Sequence, residues 1–127
     1  MRRISAAIGL ILVLAGCATP APPAAPAAGF SWADIEPIIV PLAYRDVLGQ
    51  KCRMPEARVK RAFMAELKSA GASPQLIAQS QAEAARIERA ERKTPKEYVC
   101  TAELFDSTEA NAKAALKAWS DLKGRGS

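Results

Sequence analysis

The chain has 127 residues, with 18 Lys and Arg against 13 Asp and Glu, no histidine, three cysteines and nine prolines. Without histidine the commonest metal ligand and the commonest acid–base catalyst are missing, so the composition argues for neither a metal nor another cofactor and leans away from an enzyme. A formal charge of +5 is too mild to argue for a nucleic-acid partner.

Met1-Arg2-Arg3 places two positive charges ahead of an almost unbroken apolar run from Ile4 to Ala15, the layout of a secretory signal. That run is shorter than the roughly 20 residues of a permanent membrane-spanning helix. It ends in Leu14-Ala15-Gly16-Cys17, which resembles the lipobox of bacterial lipoproteins: an aliphatic residue, two small residues and a cysteine. The resemblance covers residues 1–19 and implies that residues 1–16 are removed as a signal peptide. It further implies that Cys17 carries diacylglycerol on its thiol and a fatty acyl chain such as palmitate on its new amino terminus. Each buried methylene contributes about 0.8 kcal/mol and two or more chains hold where one does not, so the membrane becomes a partner through Cys17. Ala18, where an aspartate could stand, is similar to lipoproteins sent on to the outer membrane. The implied location is the cell envelope, facing the periplasm.

Residues 17–29 form the anchor and a linker. Ala18 to Gly29 holds four prolines and no charge, a composition that builds neither a helix interior nor a core. Extended like polyproline at about 3.1 Å per residue, it reaches on the order of 37 Å.

Residues 30–127 are enough for one small domain, near the size at which a single core is marginal. Once Arg2 and Arg3 leave with the signal, 16 basic residues face 13 acidic ones, a net charge of +3. Within residues 31–53, Ser31 to Asp34 can cap a single turn, Pro37 and Pro41 interrupt, and Pro41 can open a helix that runs to Gly49. Val59, Phe63, Leu67 and Ala70 recur at helical spacing between Pro55 and Gly71, which predicts a helix over 55–70. Ser73-Pro74 caps a longer one ending near Lys93, with Leu76, Ile77, Ser80, Ala84 and Ile87 as its apolar stripe. Thr94 to Glu97 has the capping-box layout and predicts a short helix through Tyr98 and Cys100. Asp106 to Glu109 repeats that layout ahead of a seam of Ala112, Leu116, Trp119 and Leu122 that Gly124 ends.

The fold class predicted is all-α, a small bundle of four to five helices. With Cys17 lipidated, Cys52 and Cys100 remain as a pair, and an oxidising periplasm favours a disulfide between them. Closing that loop stabilises the fold by on the order of 4 kcal/mol in the chain-entropy model.

Three groups are candidate sites. Between Arg45 and Lys68 seven cations (Arg45, Lys51, Arg53, Arg58, Lys60, Arg61, Lys68) face three anions (Asp46, Glu56, Glu66). Arg58, Lys60 and Arg61 lie beside an apolar stripe and are either an ordinary charged solubilising face, which the small excess of +4 favours, or the candidate patch for an anionic lipid or an acidic envelope protein. Glu83, Glu88 and Glu91 are interleaved with Arg86, Arg89 and Arg92 and read as surface pairs rather than catalytic carboxylates. Phe63 and Trp119 belong to the core, and Phe30 with Trp32 docks the linker's end onto the bundle. The role this supports is a non-enzymatic interaction or adaptor module. A stress- or chaperone-type protein exposing its Ala-rich helix faces is the alternative.

Overall fold

The computed structural model describes residues 29–55 and 58–125. The signal peptide, Cys17 and all of the linker but Gly29 lie outside them. Five helices are present among the described residues: α1 (Trp32–Lys51), α2 (Val59–Ser69), α3 (Pro74–Lys93), α4 (Lys96–Val99) and α5 (Ala102–Arg125). The all-α bundle and the disulfide are as the sequence predicts. Cys52 and Cys100 are joined with their Cα atoms 5.4 Å apart.

The expected break in residues 31–53 does not occur. Ser31 and Asp34 form a reciprocal capping box, and α1 then continues through both prolines. Each proline removes one backbone hydrogen bond and costs about 3 kcal/mol inside a helix. The two are four apart and share one stripe, where Pro37 is exposed and Pro41 half-buried, so water can reach that side of the helix. Against that cost stand Ile35, Ile38, Ile39 and Leu42, all essentially fully buried, each worth about 1.5–3 kcal/mol. Their sum outweighs the two prolines. Helix α1 is buried on its other sides because it is the central member, packed against α2, α3 and α5.

The helices run up, down, up and down around it. Asp46 of α1 meets the start of α2, while Glu66 near the end of α2 meets Trp119 of α5. Lys60 of α2 pairs with Glu88 of α3, and Arg45 of α1 with Glu109 of α5. Two helix ends finish in the same motif. After α2, Gly71 at φ 84° donates to Lys68 O and Ala72 to Leu67 O. After α1, Met54 donates to Gly49 O across Arg53, which sits at φ 52° where glycine is the usual residue.

Helix starts differ from expectation where a distant residue takes over the capping. Helix α2 begins at Val59 rather than at 55, because the Asp46 carboxylate accepts the amides of Val59 and Lys60 at 3.1 Å each. Neither later capping box forms. Thr94 ends α3, its hydroxyl donating to Ala90 O, and α4 has no side-chain cap. Thr101, not Asp106, caps α5 by accepting the Leu104 amide at 3.2 Å. Gly124 lies inside the last turn of α5 instead of ending it. The predicted Ser73-Pro74 start is present, with Leu76 N donating to Ser73 Oγ at 3.1 Å.

The core joins the buried stripes of four helices to Phe30. Trp119 meets Phe63 edge-on at 5.1 Å and Phe30 at 5.4 Å between ring centroids, and Trp32 packs against the same cluster. On α5 the buried positions are Thr108, Ala112, Ala115 and Trp119. Leu116, expected in the seam, is 38% exposed because the buried face of α5 runs through Ala115 instead. Among the described residues no helix is long and apolar enough to cross a membrane.

Candidate functional site

The three patch residues stand at the start of α2 because Asp46 fixes that helix end from α1. Arg58 is its N-cap, and Lys60 and Arg61 follow in its first turn. Lys60 is doubly engaged: its amide donates to Asp46 and its Nζ pairs with Glu88. The other oxygen of Glu88 lies 4.0 Å from Arg92. Arg61 is exposed. Together with Asp46, Gln50, Met64 and Gln81, the three residues line a cavity of about 430 Å³. Gln50 also borders a second cavity, of about 280 Å³, lined by Val47, Lys51, Arg92 and Lys96.

Among the described residues Asp46 is the only carboxylate in either lining. Burial pushes its pKa up from the ordinary aspartate value. The amides of Lys60 and Val59, and then the charges of Lys60 and Arg45, pull it partly back. Its oxygens already hold those two amides, so it serves α2 before any ligand.

Two of the seven cations grouped by sequence are engaged by other parts of the bundle, Lys51 half-buried and Arg45 buried. Lys51 donates its Nζ to the carbonyls of Glu91 and Thr94, which stops the exposed end of α3 with a positive charge where its dipole is negative. Arg45 is 4% exposed. Its Nε pairs with Glu109, its Nη2 donates to Pro55 O at 3.2 Å, and its guanidinium lies 5.6 Å from the centre of the Phe105 ring. Nη1 is buried with no hydrogen-bond partner. A Cβ built on Gly49, one turn along α1, would lie 2.7 Å from that nitrogen. Glycine at 49 is therefore the space the guanidinium occupies.

Beside Phe105 the disulfide borders a cavity of about 250 Å³ with Leu48, Met54 and Val99. A groove of about 400 Å³ runs over the proline side of α1, between Val40, Pro41, Tyr44 and Leu48 on one wall and Leu104, Thr108 and Asn111 of α5 on the other. Its lining is mostly apolar, with hydroxyl and amide groups and Glu91.

The structure does not bring the candidate carboxylates together as a pair. Glu83 holds Arg86 through two contacts of 2.5 and 2.9 Å, and that partner lowers its pKa. Glu88 faces Lys60. Among the described residues no three His, Cys, Asp or Glu side chains are grouped to hold a metal.

Sequence reasoning missed the Arg45–Glu109 pair, the remote cap by Asp46, the Lys51 plug and the groove. A signal for the first was present. Arg45 stands four residues before Gly49 on the most apolar helix of the domain, and residues four apart share a helix face. No family model, no curated protein and no solved structure matches this chain.

Proposed function

We propose that this chain is a bacterial lipoprotein, anchored through Cys17 to the periplasmic face of the outer membrane, whose helical domain is a non-enzymatic interaction module of the envelope. The observation that carries the reading is the cysteine pairing. Cys52 and Cys100 are joined to each other, which leaves Cys17 as the odd thiol at the position that resembles a lipidation site. A domain disulfide suits an oxidising compartment such as the periplasm. The domain also has a firm point of attachment for an anchor, because Phe30 is buried against Trp119 and Ser31 is locked into its capping box.

Intact-mass spectrometry of natively produced protein tests the anchor. The expected mass lacks residues 1–16 and carries three acyl chains, and Cys17→Ser abolishes both changes. An unmodified Cys17 overturns the reading. Crosslinking in cells tests the second half. One dominant envelope protein is the expected product, and a broad smear of unfolded clients would instead favour a chaperone.

A further inference from the structure

We infer that the two cavities sharing Gln50 form one docking site for an extended acidic segment of a partner protein. The inference rests on the interaction-module reading and names the partner's chemistry. Cations surround the site from four helices: Arg61 from α2, Lys51 from α1, Arg92 from α3 and Lys96 from α4. Among the described residues the one carboxylate in the linings, Asp46, is held by the amides of α2, and Glu88 beside them is paired with Lys60. The charge presented outward is therefore positive, and it suits carboxylates.

The shape narrows the partner further. Two adjoining cavities of about 430 and 280 Å³ admit a chain but not a flat bilayer, whose headgroups would meet only the rim. A single small anion would engage one side of Gln50 and leave the other empty. The exposed amides of Gln50 and Gln81 each offer both donor and acceptor groups to a peptide backbone, and half-buried Met64 gives an adaptable apolar contact.

The site's position agrees. It lies at the end of α1 opposite Ser31, where the chain enters the bundle. A helix of 20 residues separates the two by about 30 Å. The cavities and the chain's entry point therefore stand at opposite ends of α1.

The test uses the full protein purified from membranes in a neutral detergent. The probe is a short fluorescein-labelled peptide of alternating glutamate and alanine, followed by fluorescence anisotropy. Each exposed charge pair contributes modestly, and reversal replaces attraction by repulsion, so Arg61→Glu with Lys96→Glu should weaken binding about tenfold. Added salt should weaken it too. Lys113→Glu with Lys117→Glu changes the net charge equally on the outer face of α5 and should leave binding unchanged. Helix content by circular dichroism should be unaltered in both variants, and Arg61→Gln with Lys96→Gln serves should the reversal unfold the chain.

Absence of peptide binding, equal weakening by the two reversals, or equal binding of a lysine–alanine peptide would overturn the inference. So would tighter binding of short-chain phosphatidylglycerol than of the acidic peptide. The mass of Cys17 in the same preparation reports on the anchor separately, so either idea can fail without the other.

Discussion

Where α1 begins, Trp119 packs on Phe30 and Phe63 and donates its indole N–H to Glu66 at 2.8 Å, and Lys123 reaches the same carboxylate at 2.7 Å. Where α1 finishes, a buried arginine has one nitrogen without a partner, a second arginine is held at positive φ, and a disulfide ties the connectors together. The first end is held by apolar area with its polar groups satisfied. The second is held by charges and a covalent bond that depend on one another. A small domain with one core is marginal in the apolar area it can bury, and here the cross-link stands at the end where Arg45 and Asp46 are buried beside Val47 and Leu48.

The largest test of that contrast is truncation at the aromatic end. Trp119→Ala removes a side chain 2% exposed and should destabilise the protein by about 3–5 kcal/mol, read as a shift in the urea midpoint. A loss under about 1 kcal/mol would mean that the aromatic cluster is not what holds this end. At the other end, Cys52→Ser with Cys100→Ser opens a loop with a sequence separation of 48 and should cost about 4 kcal/mol. The two losses should differ in place. Amide exchange should speed up around α4 and the start of α5 after the cysteine change, and around Phe30 and Phe63 after the tryptophan change. The same exchange pattern from both would erase the distinction between the ends.

Two single substitutions sharpen the comparison with opposite signs. Gly49→Ala in a helix interior ordinarily gains up to about 1 kcal/mol. Here the new methyl meets Arg45 Nη1 at 2.7 Å, and the guanidinium cannot swing aside because Glu109 and Pro55 O hold its other nitrogens. The expected result is a loss of about 1–3 kcal/mol, and a gain would show the arginine to be mobile. Arg53→Gly relieves a left-handed backbone at φ 52° and should raise stability by about 1 kcal/mol. Gly71 shows the same turn already made with glycine at φ 84°, so replacing it by alanine is the control that should lose what Arg53→Gly gains.

Sequence legibility follows the same division. Ser31 with Asp34, Ser73 with Pro74, and Gly71 were readable because each is a local device whose partner lies within a few residues. The stripes carrying Phe63, Ile87 and Trp119 were readable because helical spacing alone puts them on one face. What was misread depends on residues far away in the chain. The passage of α1 through Pro37 and Pro41 is decided by burial against three other helices. The start of α2 is set by Asp46, and the Thr94 carbonyl belongs to Lys51. At the candidate site, the grouping of Arg58, Lys60 and Arg61 beside one apolar stripe was legible, while their position at the head of α2 and the claim of Glu88 on Lys60 were not. No spacing rule couples position 60 to position 88.

The smallest expected effect is also the one in which the two ends should move in opposite directions, through their carboxylates. At the aromatic end, hydrogen bonds from Ser31 hold Asp34 below its ordinary value near 3.8, and Lys123 with Trp119 holds Glu66 below its ordinary value near 4.5. Each therefore binds its proton less readily folded than unfolded. Its contribution is present above the ordinary value and is lost as pH falls through the depressed one. Glu66 is exposed and Asp34 only partly buried, so solvent screening keeps the contribution small. Asp46, at the other end, is raised above 3.8 by burial and binds its proton more readily folded. Its contribution is present below 3.8 and is lost as pH rises through the raised value. Mild acidification should accordingly protonate Asp46 first, with α2 still seated because its cap keeps acceptor oxygens, and loosen the Ser31 and Glu66 contacts only at lower pH. Carboxyl-carbon chemical shifts followed by NMR across the acid range measure the order directly. Asp46 titrating below Asp34 would mean that the two amides of α2 outweigh its burial, and that the end of the bundle carrying the disulfide tolerates charge as well as the end that carries the aromatics.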